Sequence, residues 1–261
     1  MINLQNQSGL PVEVTDDNHL KLSDPIPQSE PSIRKFSDMT PVLLDKSAKS
    51  NLDEVYYMYR DIHFPSDEIN LRKNHLRYDI TVIPFGMLGS EFNKTVGHYH
   101  PKNSAGTEFP ELYEVLSGHG LFLIQKLDKT GKVIDFVAIK AHAGQKIIYP
   151  PGYGHVIVNL GPEVLVTSNW VADNFQSEYE PIRVAEGMAY YVVADNGGYK
   201  FVPNSQYSNS AAVREINATD DLGFGLSTTE PMYNLGVTEP KKIEFLTSPE
   251  KYSTELSSLI A

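Results

Sequence analysis

The chain has 261 residues, 33 acidic and 22 basic, for a net charge of −11, and 41% of it is hydrophobic. That length supports a real core, and the acidic balance argues against nucleic acid or an anionic membrane as the main partner, because both select basic surfaces. The absence of cysteine excludes disulfides, thiolate nucleophiles, zinc fingers and iron–sulfur clusters, and no apolar run approaches the roughly 20 residues of a membrane span.

Residues 1–50 are rich in Pro, Ser, Asp and Asn and read as an extended arm lying over a core. With no basic region followed by an apolar stretch, the N-terminus shows no secretory signal, and a cytoplasmic chain is expected. The segment 55–62 is compatible with helix or strand. Residues 66–77 predict a short helix, with Ser66 as its cap and Asp67 and Glu68 in the first turn. From residue 76 the pattern becomes short β-runs: 76–85, 111–117, 121–127, 133–140, 146–149, 155–160 and 163–171. Turn residues such as Gly118-His119-Gly120 and Pro150-Pro151-Gly152 separate them. A hairpin of 189–195 with 199–202 turns at Asn196-Gly197-Gly198. Many short strands without intervening helices predict an antiparallel sandwich or barrel. The expected domain occupies 51–203, between the arm and a polar extension at 204–261. That extension ends in a helix beginning at Ser248-Pro249-Glu250, which Leu256, Leu259 and Ile260 would dock on the core.

The densest chemistry lies in residues 95–120. His98 and His100 are two apart, which on a strand puts both side chains on one face; Glu111 and Tyr113 share a face for the same reason. His155 follows the Pro-Pro-Gly turn that opens another strand. Three imidazoles and one carboxylate can hold a divalent first-row metal and leave open positions in an octahedral shell. Glu108 rivals Glu111, but a carboxylate at a strand entrance is better fixed than one in a loop, so Glu111 is preferred. Parity sends Glu114 to the opposite, solvent-facing side. His19, His63, His75, His119 and His142 read as surface or satisfied core residues.

Residues 95–125, T-x-G-H-x-H followed by E-x-Y, G-x-G and Gln125, resemble the first cupin motif, and 144–159 resemble the second. With YDITVIPFG and RKFSDMTPVLLD upstream and YYVVADNGGYKFVPN downstream, residues 34–207 resemble the cupin-type glucose-6-phosphate isomerases. The resemblance implies a jelly-roll barrel, a homodimer and a metal-dependent aldose–ketose isomerase of glycolysis and gluconeogenesis. It implies His98, His100, Glu111 and His155 as ligands of one divalent metal per chain, iron(II) first, with manganese, zinc or nickel as substitutes. Glu111 and Tyr113 become the catalytic pair, and Thr81, Thr95 and Gly97 hold the substrate phosphate. Trp170-Val171 stands where a tyrosine is looked for, and Ser177 where some members have histidine; Tyr179 and Tyr190 are the candidate replacements.

Gly97 and the two threonines suit an anion nest, which needs no arginine cluster. Strict alternation, however, puts Thr95 and Gly97 on the face opposite His98 and His100, a conflict that a bend at Gly97 would remove. The competing functions are a metal-dependent cupin oxidoreductase using oxygen, a non-catalytic sugar-binding cupin, and isomerisation of mannose 6-phosphate.

Overall fold

The central strands carry apolar residues at odd and even positions alike, so both of their faces need cover, and the fold supplies it. A computed structural model describes residues 1–219, 222–226 and 229–259. Ten strands make its two main sheets: β1 (Ser32–Lys35), β2 (Glu54–Tyr59), β3 (Leu76–Ile83), β4 (Glu111–Ser117), β5 (His119–Leu127), β6 (Val133–His142), β7 (Lys146–Tyr149), β8 (Tyr153–Asn159), β9 (Leu165–Ala172) and β10 (Val213–Asn217). One sheet runs β7-β4-β9-β3-β2-β1 and the other β8-β5-β6-β10. All pairs are antiparallel except β6 with β10. The chain switches repeatedly between the sheets, which is the jelly-roll cupin barrel that the sequence led us to expect.

Alternation sorts the residues of the six-stranded sheet. Tyr113, Val115, Ile147 and Tyr149 pack inward with Phe122, Ile124 and Val156 from the facing sheet. Leu76, Tyr78, Ile80, Leu112 and Trp170 pack outward. Period 2 is the reason: a side chain one residue along points to the other face.

Cover for the outer face comes from both ends of the chain. The N-terminal segment is more regular than an extended arm. Ile2–Asn3, Val12–Val14 and Leu20–Leu22 form a three-stranded antiparallel sheet, whose Val12, Val14, Leu20 and Leu22 are buried. Those apolar residues two apart give the arm an inward face of its own.

The polar extension also does more than its composition suggested. β10 pairs with β6, a helix forms at Met232–Thr238, and Met232, Tyr233, Leu235, Ile243, Phe245 and Leu246 are buried. The terminal helix begins as a 3₁₀ turn at Pro249–Tyr252 and continues as Ser253–Ser258, with Leu256 buried and Leu259 partly so. Ile260 lies outside the described residues.

Three local expectations change. The undecided 55–62 is strand β2 to Tyr59. The helix is shorter, Glu68–Lys73, and Ser66 Oγ donates to Asp67 instead of capping a backbone N–H. Glu114, expected at the surface, is 3% exposed. Parity does put it outward, but the extension covers that face. Its carboxylate accepts from Lys146 Nζ at 2.8 Å and from the Met232 N–H at 2.8 Å. The hairpin of Tyr190–Asp195 and Gly198–Pro203 joins Met87–Leu88 and Glu91–Phe92 in a separate small sheet.

Candidate functional site

Inward-pointing residues of the six-stranded sheet build one wall of a cavity of about 410 Å³. Arg77 and Thr81 come from β3, Glu111 and Tyr113 from β4, Asn169 and Val171 from β9. The other wall is β8 and the irregular segment beside it. There the Thr95 N–H donates to Ile157 O at 2.9 Å, His98 N–H to His155 O at 3.3 Å, and His155 N–H to His98 O at 3.0 Å.

Gly97 makes that wall possible. Its φ is +86°, a left-handed backbone that glycine adopts without steric cost. The alternation of side chains breaks at that point. Thr95, Gly97, His98 and His100 therefore all line the cavity, and the conflict read from strand parity disappears. The Gly97 N–H has no acceptor among the described residues.

His98, His100, Glu111 and His155 converge, with one potential ligand atom from each lying within 4.8 Å of all the others. His100 Nε2 is 3.2 Å from His98 Nε2 and 3.4 Å from Glu111 Oε2, and His155 Nε2 is 3.3 Å from Glu111 Oε2. His100 Nδ1 lies 2.9 Å from the Phe109 carbonyl oxygen. A carbonyl only accepts, so Nδ1 carries the proton and Nε2 offers its lone pair to the cluster. Phe175 packs on His100 at 4.6 Å between ring centres, Tyr179 on His98 at 5.2 Å and Tyr149 on His155 at 4.4 Å.

Electrostatics favour the neutral imidazole at His98 and His100 and the ionised carboxylate at Glu111. Burial, then the neighbouring imidazoles, hold His98 well below the ordinary histidine range. Burial also brings His100 down to about 4, although the Glu111 charge pulls the other way. Burial opposes ionisation of Glu111, but His155 and His100 outweigh it and hold the carboxyl below its usual value. Burial, then the Glu111 charge, pushes the Tyr113 phenol well up, so it stays protonated.

Glu111 Oε2 and both ring nitrogens of His155 are buried without a hydrogen-bond partner among the described residues. Buried polar atoms left unpaired are costly. A divalent cation would satisfy the carboxylate and the imidazole nitrogens that face it, and neutral imidazole with ionised carboxylate is the state metal binding requires. The residues present therefore fit a metal.

The remaining candidates divide. Glu108 pairs with Lys102 at 3.6 Å and stays out of the cluster, as do the other five histidines. Of the two candidate tyrosines, Tyr179 lines the cavity, whereas Tyr190 donates to the Ala211 carbonyl at 2.9 Å and packs on Phe136. Val171 and Ser177 line the cavity; Trp170 faces away, its Nε1–H donating to Met232 O at 2.8 Å. Sequence reasoning missed Arg60 and Arg77, which also line it. The signal was present in Arg77-x-Asp79-x-Thr81, polar residues at alternate positions of an apolar strand.

A family model described as glucose-6-phosphate isomerase matches residues 33–209. A glucose-6-phosphate isomerase of Thermococcus gammatolerans is 30% identical over 186 residues, which is 70% of this chain and 90% of that relative. One of Pyrococcus furiosus is 28% identical, covering 67% of this chain and 87% of its own length. One of Sinorhizobium medicae is 30% identical, covering 76% and 86% respectively. Among solved structures, the oxalate decarboxylase of Bacillus subtilis shares 18% identity at a TM-score of 0.33, over 52% of this chain and 30% of that one.

Proposed function

The chain belongs to the glucose-6-phosphate isomerase family, and we propose that it interconverts glucose 6-phosphate and fructose 6-phosphate with a divalent metal held by His98, His100, Glu111 and His155. It is an aldose–ketose isomerase. The observation that carries the metal reading is the orphaned donor set, Glu111 Oε2 and the His155 nitrogens, meeting two more imidazoles where the two cavity walls approach. Imidazole with carboxylate suits a divalent first-row metal, and the family resemblance puts iron(II) first, with manganese, zinc or nickel as substitutes.

A metal held there would supply Lewis-acid stabilisation of the negative charge that develops during isomerisation. The protein's own residues do the rest. Thr81, Thr95 and the free Gly97 N–H hold the phosphate and fix the opened sugar along the cavity. Glu111, kept ionised, is the base that carries the proton between C1 and C2; Tyr113, kept protonated, donates to a substrate oxygen beside it. Phe175 and Tyr179 pack over His100 and His98 and limit the access of water to them.

No helix among the described residues is long and apolar enough to cross a membrane. We place the reaction in the cytoplasm, where glycolysis and gluconeogenesis use it. We also expect a homodimer, because β1 is an exposed edge of its sheet and a second copy would cover it. A monomer by sedimentation at micromolar concentration would remove that part.

A coupled assay for fructose 6-phosphate formation tests the function. Activity should vanish on chelation and return with iron(II) or manganese(II). Substituting His98 or His155 by Ala should lower metal content and turnover together. A chain that turns over fully after exhaustive chelation, or that keeps its metal with both His98 and His100 replaced, would overturn the reading. Oxygen uptake without isomerisation would favour a cupin oxidoreductase instead. A substrate panel decides whether mannose 6-phosphate is also used, since both aldoses give the same ketose.

A further inference from the structure

Five carboxamide side chains are buried among the described residues: Asn93, Gln125, Asn159, Asn169 and Asn204. Four of them bond to the protein. Asn93 Nδ2 donates to the Val55 and Pro84 carbonyls at 2.6 and 2.9 Å, and Asn204 Nδ2 to those of Ala185 and Met188 at 2.8 and 3.0 Å. Asn159 donates to the Ile83 and Glu163 carbonyls and accepts from the Gly161 N–H. Gln125 donates to the hydroxyls of Tyr99 and Tyr207 and accepts from the Ala189 N–H. Asn169 is different. It is 4% exposed, lines the cavity, and makes no hydrogen bond to any described residue. A buried amide without a partner is costly, and this one leaves two donors and an acceptor to whatever fills the cavity.

Its neighbours in the sheet do not take it up. Asn169 pairs with Asp79 on β3 and with Tyr113 on β4. The Asp79 oxygens already accept from Arg60 Nη1 at 2.8 Å, from Arg77 Nη2 at 2.9 Å and from the Asp61 N–H at 2.9 Å. Val171, two residues along the same face, is apolar. Register also fixes where Asn169 stands. Thr167 pairs with Thr81, Asn169 with Asp79 and Val171 with Arg77. Trp170 pairs with Leu112, which puts Glu111 level with Val171. Two residues of strand rise by about 7 Å, so Asn169 lies midway between the level of Thr81 and the level of Glu111, about 7 Å along the sheet from each.

We propose that Asn169 is a specificity-determining residue, whose carboxamide hydrogen-bonds the hydroxyl at C3 or C4 of the open-chain hexose 6-phosphate. The assignment rests on the isomerase reading, with the phosphate at Thr81, Thr95 and Gly97 and the reacting carbons at Glu111. An opened sugar that spans those two levels carries C3 and C4 past the midpoint, where the free carboxamide stands. Neither carbon changes in the reaction, so aldose and ketose make the contact alike. It selects the sugar by the configuration of its non-reacting carbons. Glucose 6-phosphate and mannose 6-phosphate differ only at C2 and share it. An epimer at C3 or C4 turns the hydroxyl away and leaves the amide unpaired.

The test compares glucose 6-phosphate with its 3-deoxy and 4-deoxy analogues in the metal-loaded parent and in Asn169→Ala. The substitution should lower kcat/KM for glucose 6-phosphate by about three- to tenfold, the worth of one neutral hydrogen bond. For one of the two deoxy sugars it should leave kcat/KM within about twofold of the parent's, because the hydroxyl it acts on is already gone. Where a deoxy sugar turns over slowly, the same comparison is made on Kd by calorimetry. Asn169 bonds to nothing in the protein, so melting temperature and metal content should match the parent's. Asn169→Leu, of nearly the same shape, repeats the comparison if alanine loosens the sheet. An unmoved kcat/KM for glucose 6-phosphate, or an equal loss for all three sugars at normal metal content, would overturn the assignment. In an active isomerase that result removes this proposal alone, whereas a parent that turns over no hexose phosphate removes the isomerase reading and this assignment with it.

Discussion

A side chain on Gly97 would collide with Val156: an ideal Cβ there stands 2.5 Å from Val156 Cγ2 and 3.1 Å from the His155 carbonyl oxygen. The residue before His98 is thus pressed against the residue after His155, and the absence of a Cβ lets the two histidine-bearing segments hydrogen-bond to each other. Gly97→Ala adds that clash to a left-handed backbone that costs about 1–2 kcal/mol for any residue with a Cβ. We expect a melting temperature lowered by several degrees, with reduced metal content on dialysis. An unchanged melt with full metal would show that the turn can move at little cost.

Thr95 does two jobs. Its Oγ1 accepts from the Ile157 N–H at 3.0 Å, and its hydroxyl proton remains available to a phosphate oxygen. Thr95→Val should therefore cost about 1 kcal/mol of stability for the lost bond and raise KM for the sugar phosphate by roughly one to two powers of ten, with metal content unchanged. Thr95→Ser should restore both. Steady-state kinetics alongside a thermal melt separates these effects, and a KM equal to the parent's would put the phosphate elsewhere.

The buried histidines make the metal-free protein sensitive to acid. His100 titrates near 4 in the fold, and an unfolded histidine near 6.5. Between those values the unfolded chain binds the extra proton, so stability is full above about pH 6.5 and declines as pH falls toward 4. His100 alone would account for a loss on the order of 3 kcal/mol by the bottom of that window. His98, also held low, steepens the decline. Urea midpoints of the chelated chain across this range should fall accordingly, and His100→Gln should flatten the slope. Equal slopes for the two proteins would contradict the assignment.

Under the C-terminal extension, Lys146 and Glu114 form a buried pair, with side chains 0% and 4% exposed. Lys146 Nζ also donates to the Glu230 carbonyl at 3.0 Å. Glu114→Leu leaves an ammonium buried without its carboxylate and should cost about 3–5 kcal/mol. The double substitution Glu114→Leu with Lys146→Met should recover most of that loss. A double-mutant cycle on chemical denaturation measures the coupling. Additive losses would mean that the pair is not what ties the extension down.

Much of the barrel was legible because its strands are short, β-branched and punctuated by turn residues. The shared faces of His98 with His100 and of Glu111 with Tyr113 were legible from spacing two, which is a local rule. Glu114 shows the limit of that rule. Parity gave its direction correctly, but exposure depended on residues more than a hundred positions away. Apolar residues on both faces of β4 were the sign that something covers it. The Thr95–Gly97 conflict failed for a different reason: alternation holds only while φ stays extended, and Gly97 leaves that region.

By itself the sequence determined which chemistry this protein can carry. Three histidines, a carboxylate and a phenol stand at strand-compatible spacings, with no thiol to compete, and residue types and local periodicity suffice to state that. Tertiary structure alone decided which of those groups meet. His155 reaches His98 through backbone hydrogen bonds across 57 residues of chain. Arg60 reaches Asp79 through the register of two strands, and Tyr179 stands over His98 where Tyr190 does not. Register is set by many weak pairings summed over whole strands, and a shift of one residue would turn every inward side chain outward. That long-range sum is absent from any window of sequence, so which residues share the cavity is settled only when the sheets close.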